Sequence, residues 1–261
     1  MKTAIALLVC IVSLPLLRAQ STSGVASREI LTAQDSRDVG ALRGFLLDRD
    51  SSIRARAAFA AGSVQDTALV PLLENSLHDE IADVRRSCAF ALGQMNFSID
   101  SVGRHGISKS LVGQLKSEKE ERVAIRIIEA LGKTGDPASL DRLVDVVDSV
   151  ASTLMRAEVS LSIGRYAYRG IKSPRATAFA VKALSDGGGW KAAYALFRIG
   201  DNDLLAPHAT DIVRAASSHD PDVRMYIASA LARTLLPTSD PGAILKLAGF
   251  DPDWRVCGLT P

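Results

Sequence analysis

VRRSCAFALG, residues Val84–Gly93, is the phrase from which most of this chain is rewritten. Ile53–Gly62 reads IRARAAFAAG, Val123–Gly132 reads VAIRIIEALG and Met155–Gly164 reads MRAEVSLSIG. Weaker copies run AAYALFRIGD from Ala192 to Asp201 and VRMYIASALA from Val223 to Ala232. DPDWR at Asp251–Arg255 reopens the DPDVR of Asp220–Arg224. Counted from the first apolar residue of each copy, small or apolar residues return four, five and eight places later. They are Ala57, Ala58 and Ala61, then Cys88, Ala89 and Leu92, then Ile127, Ile128 and Leu131. That spacing is one buried stripe of a helix. No segment alternates every second residue for long, as a half-buried strand would.

The glycine closing the copies falls at Gly62, Gly93, Gly132 and Gly164, with Phe197 and Ala232 aligned to it later, at intervals of 31 to 39 residues. Such a period belongs to stacked helical hairpins that share one core, with loop insertions stretching it. The longest interval places an insertion at Asn96–Gly106. Glycine where a helix should end predicts a left-handed terminating residue. Asp66, Asp136 and Asp201 follow where the next helix needs an N-cap. The first helices of the hairpins are predicted at Arg37–Leu47, Thr67–Leu77, Ile107–Lys116, Ala138–Asp148, Pro174–Leu184, Leu204–Ala216 and Pro241–Leu247. Pro137, Pro174 and Pro241 stand near the start of theirs, where a missing N–H costs nothing. Pro71 and Pro207 fall about one turn in, where a slight bend is expected.

Apolar residues make up 47% of the chain and aromatics only 5%, so Ala, Leu, Val and Ile must fill the core, which suits close helix-on-helix packing. Residues 1–19 are a different text: Lys2, the apolar run Ala4–Leu17, then Arg18 and Ala19 before a polar stretch. This is the layout of a secretory signal peptide cleaved after Ala19, and the run is short of the roughly 20 residues a membrane span needs. Its removal takes Lys2 and Arg18 and leaves 29 of the 31 basic residues against 29 acidic ones. A zero balance argues against a phosphate-tracking surface, and so against nucleic acid as a partner. Cys10 leaves with the signal, while Cys88 and Cys257 are too many repeats apart to pair. An exported chain without disulfides points to the periplasm of a bacterial cell. Residues 20–34 are expected to be a flexible entry and residues 35–261 a helical array whose last repeat is incomplete.

The D-x-x-I-R of Asp50–Arg54, the D-x-x-V-R of Asp220–Arg224 and the A-L-G of Ala91–Gly93 and Ala130–Gly132 resemble HEAT repeats of the bacterial kind related to phycocyanobilin-lyase repeats. The resemblance runs from Asp35 to Pro261. It weakens in copies three and four, and copy five has GGWK at Gly188–Lys191 in place of the opening. It implies an all-α fold, a right-handed α-solenoid of about six and a half HEAT-like hairpins. It also implies that Arg54, Arg85, Arg156, Arg224 and Arg255 form a structural ladder of caps and ion pairs with Asp50, Asp83, Asp220, Asp222, Asp251 and Asp253, and that the second helices line a concave side. Exported arrays of this look occur fused to cyclophilin-type peptidyl-prolyl isomerases. The half repeat at the end, which caps poorly, therefore raises a second reading: the substrate-presenting part of a larger enzyme whose catalytic domain follows Pro261. A tetrapyrrole-attaching role is disfavoured by the signal peptide.

No residue pattern specifies catalysis, a cofactor or a metal. His78, His105, His208 and His219 lack paired-ligand spacing and are expected as solvated loop residues. Asp201–Asp203 lacks the later ligands of a calcium loop, and Gly187–Gly189 has neither dinucleotide nor P-loop spacing. What remains is the outward side of the motif helices, carrying Arg56 and Phe59, Arg86 and Phe90, Arg126 and Glu129, Glu158 and Leu161, Trp190, Lys191 and Tyr194, and Met225 and Tyr226. Aromatics and arginine dominate binding hot spots, so this face is the candidate for a protein or peptide partner. Its competing role is to fill the groove between adjacent repeats.

Overall fold

The computed structural model of the chain describes residues 25–95, 100–148, 152–234, 249 and 251–257. The predicted signal, residues 1–19, and the predicted helix Pro241–Leu247 lie outside them. The described residues are helical throughout, with no strand among them. The chain divides into two compact units, Met1–Ser98 and Ile99–Pro261.

In the first unit the helices are α1 (residues 25–35), α2 (Val39–Leu46), α3 (Ser51–Val64), α4 (Val70–Ser76) and α5 (Ala82–Gln94). The helical array thus begins inside the stretch expected as a flexible entry. Ile30 and Ala33 are buried, and two apolar contacts one turn apart suffice to hold a short polar helix against its neighbour. Asp38 and Asp50 cap α2 and α3, accepting from the backbone N–H of Ala41 and Ser52. Asp66 caps a 3-10 turn, Thr67–Leu69, that leads into α4. Pro71 therefore sits at the start of α4 rather than bending it, where its lost N–H has no partner to miss.

The second unit contains α6 (Ser101–Ser117), α7 (Glu121–Thr134), α8 (Leu140–Asp148), α9 (Thr153–Tyr168), α10 (Pro174–Ser185), α11 (Gly189–Ile199), α12 (Asn202–Leu205), α13 (Ala209–Ala215), α14 (Pro221–Arg233) and α15 (Trp254–Cys257). The insertion expected at Asn96–Gly106 is in part helix: Asp100 accepts from Gly103 N–H at 2.8 Å and starts α6 six residues before Ile107. Pro207 lies in a 3-10 turn, Ala206–His208, that separates α12 from α13. Within each unit the second helices stack side by side, α3 on α5 in the first, and α7 on α9, α9 on α11 and α11 on α14 in the second. The first helices lie on the other side of these rows. The core is almost wholly Ala, Leu, Val and Ile, and Tyr166, fully buried, sends its hydroxyl to Ser139 Oγ at 2.6 Å.

The repeated glycine is not a helix end. Gly62, Gly93, Gly132 and Gly164 all lie inside their helices and are buried. A Cβ on Gly62 would stand 2.9 Å from Ala91 Cα, one on Gly132 2.9 Å from Ser162 Cα, and one on Gly164 2.7 Å from the Tyr194 ring. The glycine is a notch that lets the next second helix approach closely. The left-handed residues that end α3, α7 and α11 are Gln65, Gly135 and Gly200.

Candidate partner-binding face

Each second helix carries a row of side chains at the second or third, sixth and tenth places after its reference residue, which one helical face brings together. In the first unit Phe59 and Phe90 stack with ring centroids 4.9 Å apart and planes within 8°, and the Arg56 guanidinium lies 5.5 Å from the Phe59 ring. Phe90 also fills the notch at Gly62, so it serves the seam. Phe59 remains 43% exposed. Arg86 is exposed and reaches Asp83 at 3.5 Å.

In the second unit the face begins with charge. Glu129 pairs with Arg126 and with Lys133, the latter at 2.7 Å. Burial pushes the Glu129 carboxyl up, but the lysine hydrogen bond and the surrounding cations outweigh that and hold it below its ordinary value. Glu158 is buried and accepts from Arg165 and from Lys191, each at 2.9 Å. Lys191 is thus a cross-seam tie between α11 and α9. The aromatics gather beyond it: Tyr194 meets Tyr226 edge-on at 5.4 Å, Trp190 meets Tyr226 at 6.3 Å, and Phe197 lies 6.0 Å from Tyr226. Tyr194 fills the notch at Gly164, whereas Trp190 is 39% exposed. Met225 is half-buried beside this group.

Tyr168, Phe197, Arg198 and Arg233 escaped the sequence reading of this face. Arg198 lies 4.2 Å from the ring of the exposed Tyr168, and Arg233 lies 4.4 Å from the Phe197 ring. Arg198 and Arg233 both stand ten places after their reference residues, as Lys133 and Arg165 do. That recurrence was available to a reading carried past the sixth place.

The arginines one place after the reference residue point elsewhere, to the turns. Arg54 grips Asp79 through Nε and Nη2 at 2.8 and 3.1 Å and donates Nη1 to the carbonyls of Asp48 and Arg49. Arg85 repeats the carbonyl contacts with Asp79 and Glu80. Arg224 grips Asp251 at 2.7 and 2.9 Å and donates to Ser218 and His219 carbonyls. Arg156 comes only within 3.9 Å of Asp186. Arg255 pairs with Asp222 and its own neighbour Asp253. The Arg224 hydrogen bonds hold the Asp251 carboxyl below the usual carboxylate range.

His105 corrects an expectation. It lies on α6 rather than in a loop, with Nδ1 3.2 Å from the Asp136 carboxylate. That contact occupies the carboxylate, and Asp136 makes no side-chain cap to the turn it precedes. Neither described thiol, Cys88 or Cys257, is in a disulfide, and the Cys257 thiol donates to the Asp251 carbonyl at 3.1 Å. Burial pushes the Cys88 thiol up to about 12, far from the thiolate a nucleophile needs. No described helix is long and apolar enough to cross a membrane.

Helical hairpins stacked through their second helices, notched by glycine and tied at the turns, define an α-solenoid. Residues 69–98 match the family model for the HEAT repeat, and residues 123–149 match that for the PBS lyase HEAT-like repeat. The chain carries HEAT-type repeats in these stretches. Protein YibA of Escherichia coli (strain K12) is 34% identical over 98 residues, which cover 38% of this chain and a third (33%) of YibA. Among solved structures, Kap121p is similar with a TM-score of 0.60 and 16% identity, over 74% of this chain and 22% of that one. An engineered protein has a TM-score of 0.57 and 18% identity, over 75% of this chain and 96% of that one. At these identities the likeness is one of fold.

Proposed function

We propose that this protein is a non-enzymatic HEAT-repeat scaffold, exported to the periplasm, that holds a protein or peptide partner on the exposed face of its second helices. The observation that carries this reading is a large aromatic left partly open on the second helices of each unit, Phe59 in the first and Trp190 in the second, each with one side stacked on a ring of the next second helix. Rigid amphipathic rings flanked by guanidinium groups supply contact area at low entropic cost. Export is supported by the apolar run Ala4–Leu17 between Lys2 and Arg18.

A photo-crosslinking residue at Trp190 in the full chain tests the first part, with Ala178 on the exposed side of α10 as the control position. A discrete crosslinked protein or peptide at Trp190 and not at Ala178 is expected; equal products at both would overturn the assignment of the face. N-terminal sequencing of the protein from its native host tests export. A mature start at Gln20 is expected, and an intact Met1 on cytosolic protein would sink it.

A further inference from the structure

The aromatic end of the second unit's face holds two cations that no carboxylate among the described residues answers. Among the described residues Arg198 and Arg233 make no ion pair and no hydrogen bond, whereas Arg126, Arg165 and Lys191 each have a glutamate. Both guanidinium groups lie on aromatic rings instead. Arg198 is 4.2 Å from the Tyr168 ring and 5.8 Å from the Phe197 ring, and Arg233 is 4.4 Å from the same Phe197 ring. Arg198 Nε is shielded from solvent without a hydrogen-bond partner. Cation–π contact orients a guanidinium without neutralising it, so two full charges are held at the Phe197 ring with donors to spare. A charge in a partly dry site gains most from a planar, bidentate acceptor.

We infer that Tyr168, Phe197, Arg198 and Arg233 form a receiving site for the carboxylates of an extended acidic peptide segment. The inference rests on the peptide-binding reading above and assigns it a ligand chemistry. Two cations on one ring call for two anions carried by one ligand. Alternate side chains on one side of an extended segment, about 6.5 Å apart, meet that need. Apolar side chains of the same segment would rest on Tyr226, 6.0 Å from the Phe197 ring, and on Trp190 beyond it. A polyphosphate backbone suits the site less well, because Glu129 and Glu158 interrupt the same face with negative charge.

The test is fluorescence anisotropy on the full chain with a labelled ten-residue peptide alternating Glu and Leu, its Gln counterpart, and a single-stranded oligonucleotide. The Glu peptide is expected to bind at least tenfold more tightly than the Gln peptide. R198Q/R233Q should lose at least tenfold toward the Glu peptide with an unchanged thermal melt, and R198K should lose part of it. If R198Q/R233Q melts early, R233E carries the test, its preference shifting to a Lys–Leu peptide. Equal binding of Glu and Gln peptides that W190A abolishes would overturn the acidic specificity and leave the peptide-binding reading standing. Tighter binding of the oligonucleotide would overturn the inference, and no binding of any peptide by a folded chain would overturn both readings.

Discussion

The seam between α3 and α5 in the first unit and the seam between α9 and α11 in the second are made from the same phrase and fastened differently. Each has a glycine notch, at Gly62 and Gly164, filled by an aromatic six places into the next copy, Phe90 and Tyr194. At the first seam the turn is locked by the bidentate Arg54–Asp79 pair, and the outward face is an apolar stack of Phe59 on Phe90. At the second, the corresponding Arg156–Asp186 contact has opened to 3.9 Å, and the Glu158–Lys191 pair crosses the seam on the outward face instead. The ionic fastening has moved from the turn to the face. Position in the repeat therefore fixes geometry, while the chemistry at each position is free to change so long as the seam stays tied.

The largest effect should come from the notch. Gly62→Ala places its Cβ against backbone, whereas Gly164→Ala meets a tyrosine ring that can yield. Overpacking costs about 1–3 kcal/mol, so urea unfolding should show about 3 kcal/mol lost at Gly62 and about 1 at Gly164. Equal losses would break the distinction between a rigid and an adaptable filler. Next come the turn arginines. Hydrogen bonds to charged groups contribute about 1.5–3 kcal/mol, so Arg54→Ala should cost about 2 kcal/mol. Arg156→Ala, whose pair is long and partly wet, should cost under about 1 kcal/mol. A comparable loss at Arg156 in the same melts would show that its turn is tied as tightly. The smallest effect is on pH dependence. Burial pushes the Asp79 carboxyl up, but the Arg54 and Ile81 hydrogen bonds and nearby charges outweigh it and leave it below the usual carboxylate range. A depressed folded value stabilises above the unfolded value, about 4, and that stability is lost as pH falls through the folded one. Acid titration of stability below about pH 4 should be steeper in the parent than in Arg54→Ala; identical slopes would remove Asp79 from the account.

The hairpin register was legible because apolar residues at helical spacing leave few alternatives, and six of the seven predicted first helices lie where helices or 3-10 turns are found. The start of α6 was not, since Ser101–Gly106 carries no apolar period and only Asp100 announces it. The glycines were misjudged because spacing cannot tell a residue that ends a helix from one that thins it; both leave glycine after an apolar stripe. Partners at the face were hidden for a related reason. Sequence places Glu158 and Lys191 at like positions in neighbouring copies, but their meeting depends on the separation of the two axes. Arg198 and Arg233 were missed although their register was plain, because arginine on a solvated face is ordinarily unremarked.

Arg169, at the end of α9, donates to the carbonyls of Gly132 and Lys133 at the end of α7, 37 and 36 residues earlier. A helix leaves its last carbonyls unpaired unless something outside it answers them. During synthesis from the N-terminus, then, α7 is finished only after the whole following hairpin has emerged. Growth of this stretch is vectorial but always one hairpin in arrears, and the last turn of α7 should gain its exchange protection together with α9 rather than with its own residues.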